Sequence, residues 1–286
     1  MGISPEKIRE AVADALVRAG SSFTPGLRAA YARALSLETD ERSLWAMRQY
    51  LENADVAERR QLPLCDDTGI PHVLLEVGEL AEFGGPQLGA VTEGIAKGLR
   101  RLPGRPMAVL GDDIQRVEQS AGLSLYSEDV VPPAFSVKQI PGDRVRSTVL
   151  LLGGGPEIRA KTYRIFHKHH LETVLDEVAQ WGIEAVRELG CTPVVVAVGL
   201  GRTHFEATNL MLEAMARGDL EKQTPLEQRI TDTINAGGIG PLGLGGRISV
   251  LGSLLNIGPQ RASGVRIASM RTCCGIEPRR ATAELG

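Results

Sequence analysis

The sequence is first informative for what it lacks. Only four cysteines occur in 286 residues, Cys65, Cys191, Cys273 and Cys274. Their spacing contains no Cys-x-x-Cys knuckle, which excludes zinc ribbons and fingers. No apolar run approaches the ~18 residues of a membrane span. The N-terminal stretch carries charges throughout, so it has no apolar core of a signal peptide. Lys and Arg form no basic block and the net charge is −3, which argues against a nucleic-acid partner. No internal repeat is present. What remains is the balance of an ordinary water-soluble protein, 43% apolar and 23% charged, long enough for a sizeable core. The expected location is the cytoplasm, with no membrane association. Structural disulfides do not persist there.

Apolar residues recur at helical spacing in IREAVADALVRA and SLWAMRQYLENA, so the chain to about Glu58 reads as helical. Turn residues surround Cys65, with Pro63 before it and Asp66-Asp67-Thr68-Gly69 after it. PHVLLEVGEL reads as a strand and AVTEGIAKGLRR as a helix. LPGRPMAVLGDDIQ reads as irregular, and AFSVKQIPGDRVRSTVLLLGGG as a hairpin turning at Pro141-Gly142-Asp143. From about Ile158 to Leu189 the pattern reads mostly as helix. VVVAVGLG is a buried strand, FEATNLMLEAMAR a helix, and apolar strand segments follow the glycine-rich run 237–246. The expectation is an α+β (mixed α/β) fold, a helical N-terminal region followed by mixed helices and short strands, with residues 1–286 as a single domain.

Each cysteine stands where one kind of structure gives way to another. Buried apolar thiols are one reading. The other is that three distant cysteines converge on one metal centre. A [4Fe–4S] cluster held by three thiolates leaves one iron open as a Lewis acid. Substrate carboxylates would then need Arg anchors, and the hydroxyl an acid–base group.

The motifs around these cysteines resemble the α subunits of the class I fumarase and L(+)-tartrate dehydratase family. LPLCDDTGIPHVLLEVG resembles the family stretch Leu-Pro-Ile-Cys-Gln-Asp-Thr-Gly running into a strand. IPGDRVRSTVLLLGGGPE resembles its Pro-Gly-Asp segment ending in Gly-Gly-Gly-Ser-Glu-Asn. GCTPVVVAVGLGRTHFEATNLMLEAM resembles its second cysteine motif, NAGGIGPLGLGGR its Gly-Ile-Gly-Pro run, and CCGIEPRRA its terminal Cys-x-x-x-Arg-Arg-Ala. The matches keep the family order from about residue 40 to residue 281.

The resemblance implies a [4Fe–4S] cofactor held by Cys65, Cys191 and one of Cys273 and Cys274, between which the sequence does not choose. It implies catalytic roles for Asp67 and Arg100, and substrate contacts from Asp66, Gly154 and Thr203. It implies a hydro-lyase acting on a C4-type hydroxy dicarboxylic acid with a separate β subunit, because fused members carry a further C-terminal domain. An α2β2 assembly or a homodimeric α core is expected. Against this stands a non-catalytic homologue that serves as a binding or assembly protein. Four departures bear on the substrate. Leu152 replaces a lysine, Pro156-Glu157-Ile158 replaces Ser-Glu-Asn, the terminal motif counted from Cys274 has an extra residue, and a histidine is replaced around Arg261. A tartrate-like diacid is therefore expected slightly ahead of fumarate and malate.

Other patterns are set aside. Gly199-Leu200-Gly201 suggests a dinucleotide turn, but the third glycine would fall at His204. The glycine-rich run has no Gly-Lys-Ser/Thr after it. His167, His169 and His170 read as a solvated helical face, since i and i+2 do not share a side of a helix.

Overall fold

The helical N-terminal reading holds in the computed structural model, which describes residues 3–286. Helix α1 spans Pro5–Ser21, α2 Pro25–Leu37 and α3 Glu41–Arg60. Both α1 and α2 open on a proline, whose fixed φ suits the first helical turn. Thr24 caps α2 by accepting the Leu27 N–H at 3.2 Å. The remaining elements are β1 Ile70–Gly78, α4 Gly85–Arg101, α5 Asp113–Glu118, β2 Ala134–Ile140, β3 Val145–Leu152 and α6 Gly154–Glu157. They continue with β4 Lys161–Phe166, α7 Leu171–Leu189, β5 Val194–Gly201, α8 His204–Arg217, α9 Pro225–Asn235, β6 Val250–Ile257, β7 Val265–Cys273 and β8 Arg279–Glu284. The class is α+β, as the patterns predict. Among the described residues, no helix is long and apolar enough to cross a membrane.

Contacts divide the chain into two units. The first comprises residues 3–22, 54–153 and 279–286. Its sheet has the order β2-β1-β3-β8. Ile8, Val12 and Leu16 of α1 and Val91, Ile95 and Leu99 of α4 pack with Val73, Leu75, Val149 and Leu151 of the sheet. Fully burying such side chains contributes about 1.5–3 kcal/mol each.

The hairpin expectation fails in this unit. Strand β1 lies between β2 and β3, pairing parallel with β2 and antiparallel with β3. The turn 141–144 bonds instead to the end of β1. Gly78 N–H donates to Arg144 O at 2.8 Å, and Leu80 N–H to Gly142 O at 3.0 Å. Sequence proximity favours a hairpin, but β1, buried along most of its length, satisfies the backbone groups of both its edges only between two partners.

The second unit comprises residues 23–53 and 154–278. Its sheet has the order β4-β7-β5-β6. Strand β5 is buried along its whole length, because both faces are covered. Val194, Val196 and Val198 join the core with α7 and α9. On the opposite face a Cβ at Gly199 would strike Ala207 and Met211 of α8. Close helix packing, not nucleotide binding, thus accounts for this glycine. The span read as mostly helix from 158 to 189 contains β4, antiparallel to β7, and α7 begins only at Leu171. The run TYRIF alternates and pairs with a partner far away in sequence, which local periodicity does not reveal.

Candidate active-site residues

In the first unit, Cys65 lies in a bend between α3 and β1 and is half-buried. Its Sγ donates to Asp66 Oδ1 at 3.3 Å. Burial pushes the thiol upward from its ordinary pKa, partly offset by the Asp67 N–H. The turn is held by a residue that the sequence reading left out of the site. Arg279, nearly fully buried at the start of β8, donates from Nη1 to the carbonyls of Asp67 at 2.6 Å and Thr68 at 2.9 Å. Gly69 adopts φ +85°, and a Cβ there would lie 2.6 Å from Arg279 Nη2, so both conformation and clearance require glycine. Asp67 Oδ1 accepts the Gly69 N–H at 3.2 Å, the local turn bond of an Asx motif.

Asp66 is exposed, and an ion pair of 3.5 Å joins it to Arg105. Its carboxyl is held below the usual range, first by the Cys65 thiol and then by the Asp67 N–H. Arg100 lies in the last turn of α4, exposed, and meets Glu128 at 3.4 Å. Such surface pairs contribute little to stability. Leu152, at the end of β3, is buried.

In the second unit, Cys191 is exposed in the bend between α7 and β5. Cys273 ends β7, paired opposite Val195, with no exposed surface. Burial raises its thiol well above the ordinary value, with the Glu277 carboxylate adding to the effect. Cys274 is half-buried just beyond the strand. Gly275 joins the two loops. Its N–H donates to Cys191 O at 3.0 Å, and its carbonyl accepts the buried Tyr31 hydroxyl at 2.7 Å. The structure therefore brings the Cys191 and Cys274 turns together and sets Cys273 in the core.

The glycine-rich run supports the same bend. Thr192 Oγ1 donates to Gly240 O at 2.6 Å, and Leu242 N–H to Thr192 O at 3.0 Å. Beside Cys273, Arg271 pairs with Glu277 and Glu157. Tyr31 lies far from any cysteine motif, and Arg271 and Glu277, although beside Cys273 and Cys274, are charged residues whose burial no local pattern announces. Gly154 opens the four-residue α6 and its carbonyl accepts the Ile158 N–H at 3.1 Å. Thr203 caps α8, accepting the Glu206 N–H at 3.2 Å, so its hydroxyl is used locally. Among the described residues, no group of three or more His, Cys, Asp or Glu side chains is gathered as a metal site.

The fumarate hydratase (Fumerase) family profile matches residues 9–284. The chain belongs to that family. It is 26% identical over 267 residues to a Methanocaldococcus jannaschii protein provisionally named L(+)-tartrate dehydratase subunit alpha, covering 88% of each chain. It is 25% identical over 218 residues to an Escherichia coli L(+)-tartrate dehydratase subunit alpha, covering 74% of this chain and 69% of that one. It is also 25% identical over 197 residues to the aerobic class I fumarate hydratase of Escherichia coli. That match covers 66% of this chain but only 33% of the longer relative.

Proposed function

We propose that this chain is the iron–sulfur α subunit of a hydro-lyase that adds or removes water at a C4-type hydroxy dicarboxylic acid, and that it works with a separate β subunit. The observation that carries the reading is the family match over residues 9–284, joined to thiols at three turns. The donor chemistry fits a three-thiolate [4Fe–4S] group. Cys65 and Cys274 are half-buried, Cys191 is exposed, and Gly275 ties the Cys191 and Cys274 turns. Thiolates are the soft ligands such clusters require. Cys273 is the poorer ligand, because its thiol is closed in the core.

When bound, the cluster would supply a Lewis-acidic iron for a substrate hydroxyl. The chain's own residues would do the rest. Arg100 would hold a carboxylate by charge-assisted hydrogen bonds. Asp67, fixed by Arg279 and Gly69, would face the reacting carbon as the acid–base group, with Asp66 beside it. The Gly154 backbone would approach the ligand, and Thr203 would keep the turn after β5 in shape through its cap. The names of the tartrate dehydratase relatives support a β partner and a tartrate-like substrate.

The test is anaerobic reconstitution of Cys65→Ser, Cys191→Ser and Cys274→Ser variants, with iron per chain, the electron paramagnetic resonance spectrum and turnover in the presence of the β subunit. Each variant should lose the cluster signal and hydratase activity. A full iron load in either of the first two would overturn the ligand set. A colourless wild-type chain would favour the non-catalytic binding homologue.

A further inference from the structure

The three histidines set aside as a solvated helical face have a different setting. They lie between β4 and α7 and line a cavity of about 310 Å³ with Gln260 and Arg266. That volume suits a small molecule. His167 is buried, not solvated, and both of its ring nitrogens are committed. Nε2 lies 2.7 Å from Ser263 O, which can only accept, so Nε2 carries the proton. Nδ1 then accepts the His169 N–H at 3.0 Å.

This anchor forces a tight reversal. Lys168 and His169 both adopt left-handed backbone, φ 49° and 59°, which non-glycine residues take up only where surrounding structure imposes it. The reversal brings the exposed imidazoles of His169 and His170 to the cavity mouth. His170 is the N-cap of α7, yet its side chain makes no capping bond.

Arg266 supplies fixed positive charge. Its Nη1 donates to the carbonyls of Arg261, Ser263 and Val265 at 3.1–3.3 Å. Among the described residues no carboxylate pairs with it. The nearby first-turn carboxylate, Glu172, is taken up by Arg229. The rest of the lining is apolar, from the buried Val174 and Leu200 and the partly exposed Leu171 and Ile257. A guanidinium and two imidazoles beside an apolar wall match a carboxylate carried on a short hydrocarbon body.

We propose that this cavity binds a small organic carboxylate, at a site separate from the cysteine turns. Leu200 stands near the end of β5, and Cys191 precedes its start, so about 20 Å of strand lies between them. The inference does not depend on the hydro-lyase reading.

The test uses the full chain labelled with ¹⁵N-histidine. Imidazole correlation spectra are followed during addition of sodium butyrate, butan-1-ol or inorganic phosphate at constant ionic strength. Butyrate should shift the His169 and His170 signals saturably, and butan-1-ol should not. Arg266→Gln should weaken butyrate binding about tenfold or more, as loss of a charge-assisted contact requires. Because Arg266 also ties its own loop, the exposed His170→Gln variant serves as the second probe and should weaken binding too. A response that never saturates, an affinity unchanged in both variants, or phosphate binding as tightly as butyrate would overturn the proposal.

Discussion

Arg271 and Glu277 face one another at 3.3 Å with neither side chain exposed. Glu157 meets the same guanidinium from α6. Burial alone would lower the Arg271 pKa, but the attraction of the Glu277 carboxylate, joined by Glu157, outweighs it, so the guanidinium stays charged. Removing one member leaves a charge buried without its partner. Arg271→Met should therefore cost about 3–5 kcal/mol in urea unfolding. The double variant Arg271→Met/Glu277→Leu should be less destabilised than the sum of the single changes. Strict additivity would show that the pair is not coupled.

The two adjacent cysteines should separate cleanly. Cys274→Ser should lose bound iron after anaerobic reconstitution, whereas Cys273→Ser should keep it and lose only stability. Iron retained by Cys274→Ser and lost by Cys273→Ser would reverse the assignment.

Tyr31→Phe removes the hydroxyl that holds Gly275 O. The expected loss is about 1–2 kcal/mol, with a carbonyl left unpaired in the core. The Cys191 and Cys274 turns should loosen with it, so alkylation of Cys191 by iodoacetamide in the metal-free protein should speed up. An unchanged rate would separate Gly275 from the thiol turns.

Glu38 gives a pH-dependent prediction. It is buried and accepts four backbone N–H groups, from Thr39, Asp40, Arg247 and Ile248, at 2.7–3.0 Å. Burial alone would raise its pKa, but the hydrogen bonds prevail and lower it. A lowered folded pKa stabilises above the unfolded value of about 4.3, and the effect is lost as pH falls through the folded pKa. Glu38→Gln should reduce stability at pH 7 and flatten the fall below about pH 4.3. An acid limb identical to that of the parent protein would remove Glu38 from the account.

A β subunit is expected to be required for turnover. The chain alone should give no measurable hydration of fumarate or dehydration of tartrate, and the reconstituted pair should. A malate/fumarate kcat/KM far above that for tartrate would show that Leu152 and Pro156-Glu157-Ile158 left specificity unchanged.

The sequence by itself determined the helices of the N-terminal third, because 3.6-residue periodicity is a local property that IREAVADALVRA displays in full. It also determined which turns carry thiols, through Pro63, Asp67, Gly69 and Gly190 beside Cys65 and Cys191, since turn chemistry depends on immediate neighbours. Tertiary structure alone decided the rest. Strand β1 entered between β2 and β3, which no adjacent pair of segments announces. Cys273 went into the core and Cys274 stayed at its edge, a difference of one residue set by the register of β7 on β5. Arg279 reached Asp67 across more than two hundred positions, and Tyr31 reached Gly275 likewise. These contacts join groups whose separation along the chain carries no periodic signal, so only the folded packing could select them.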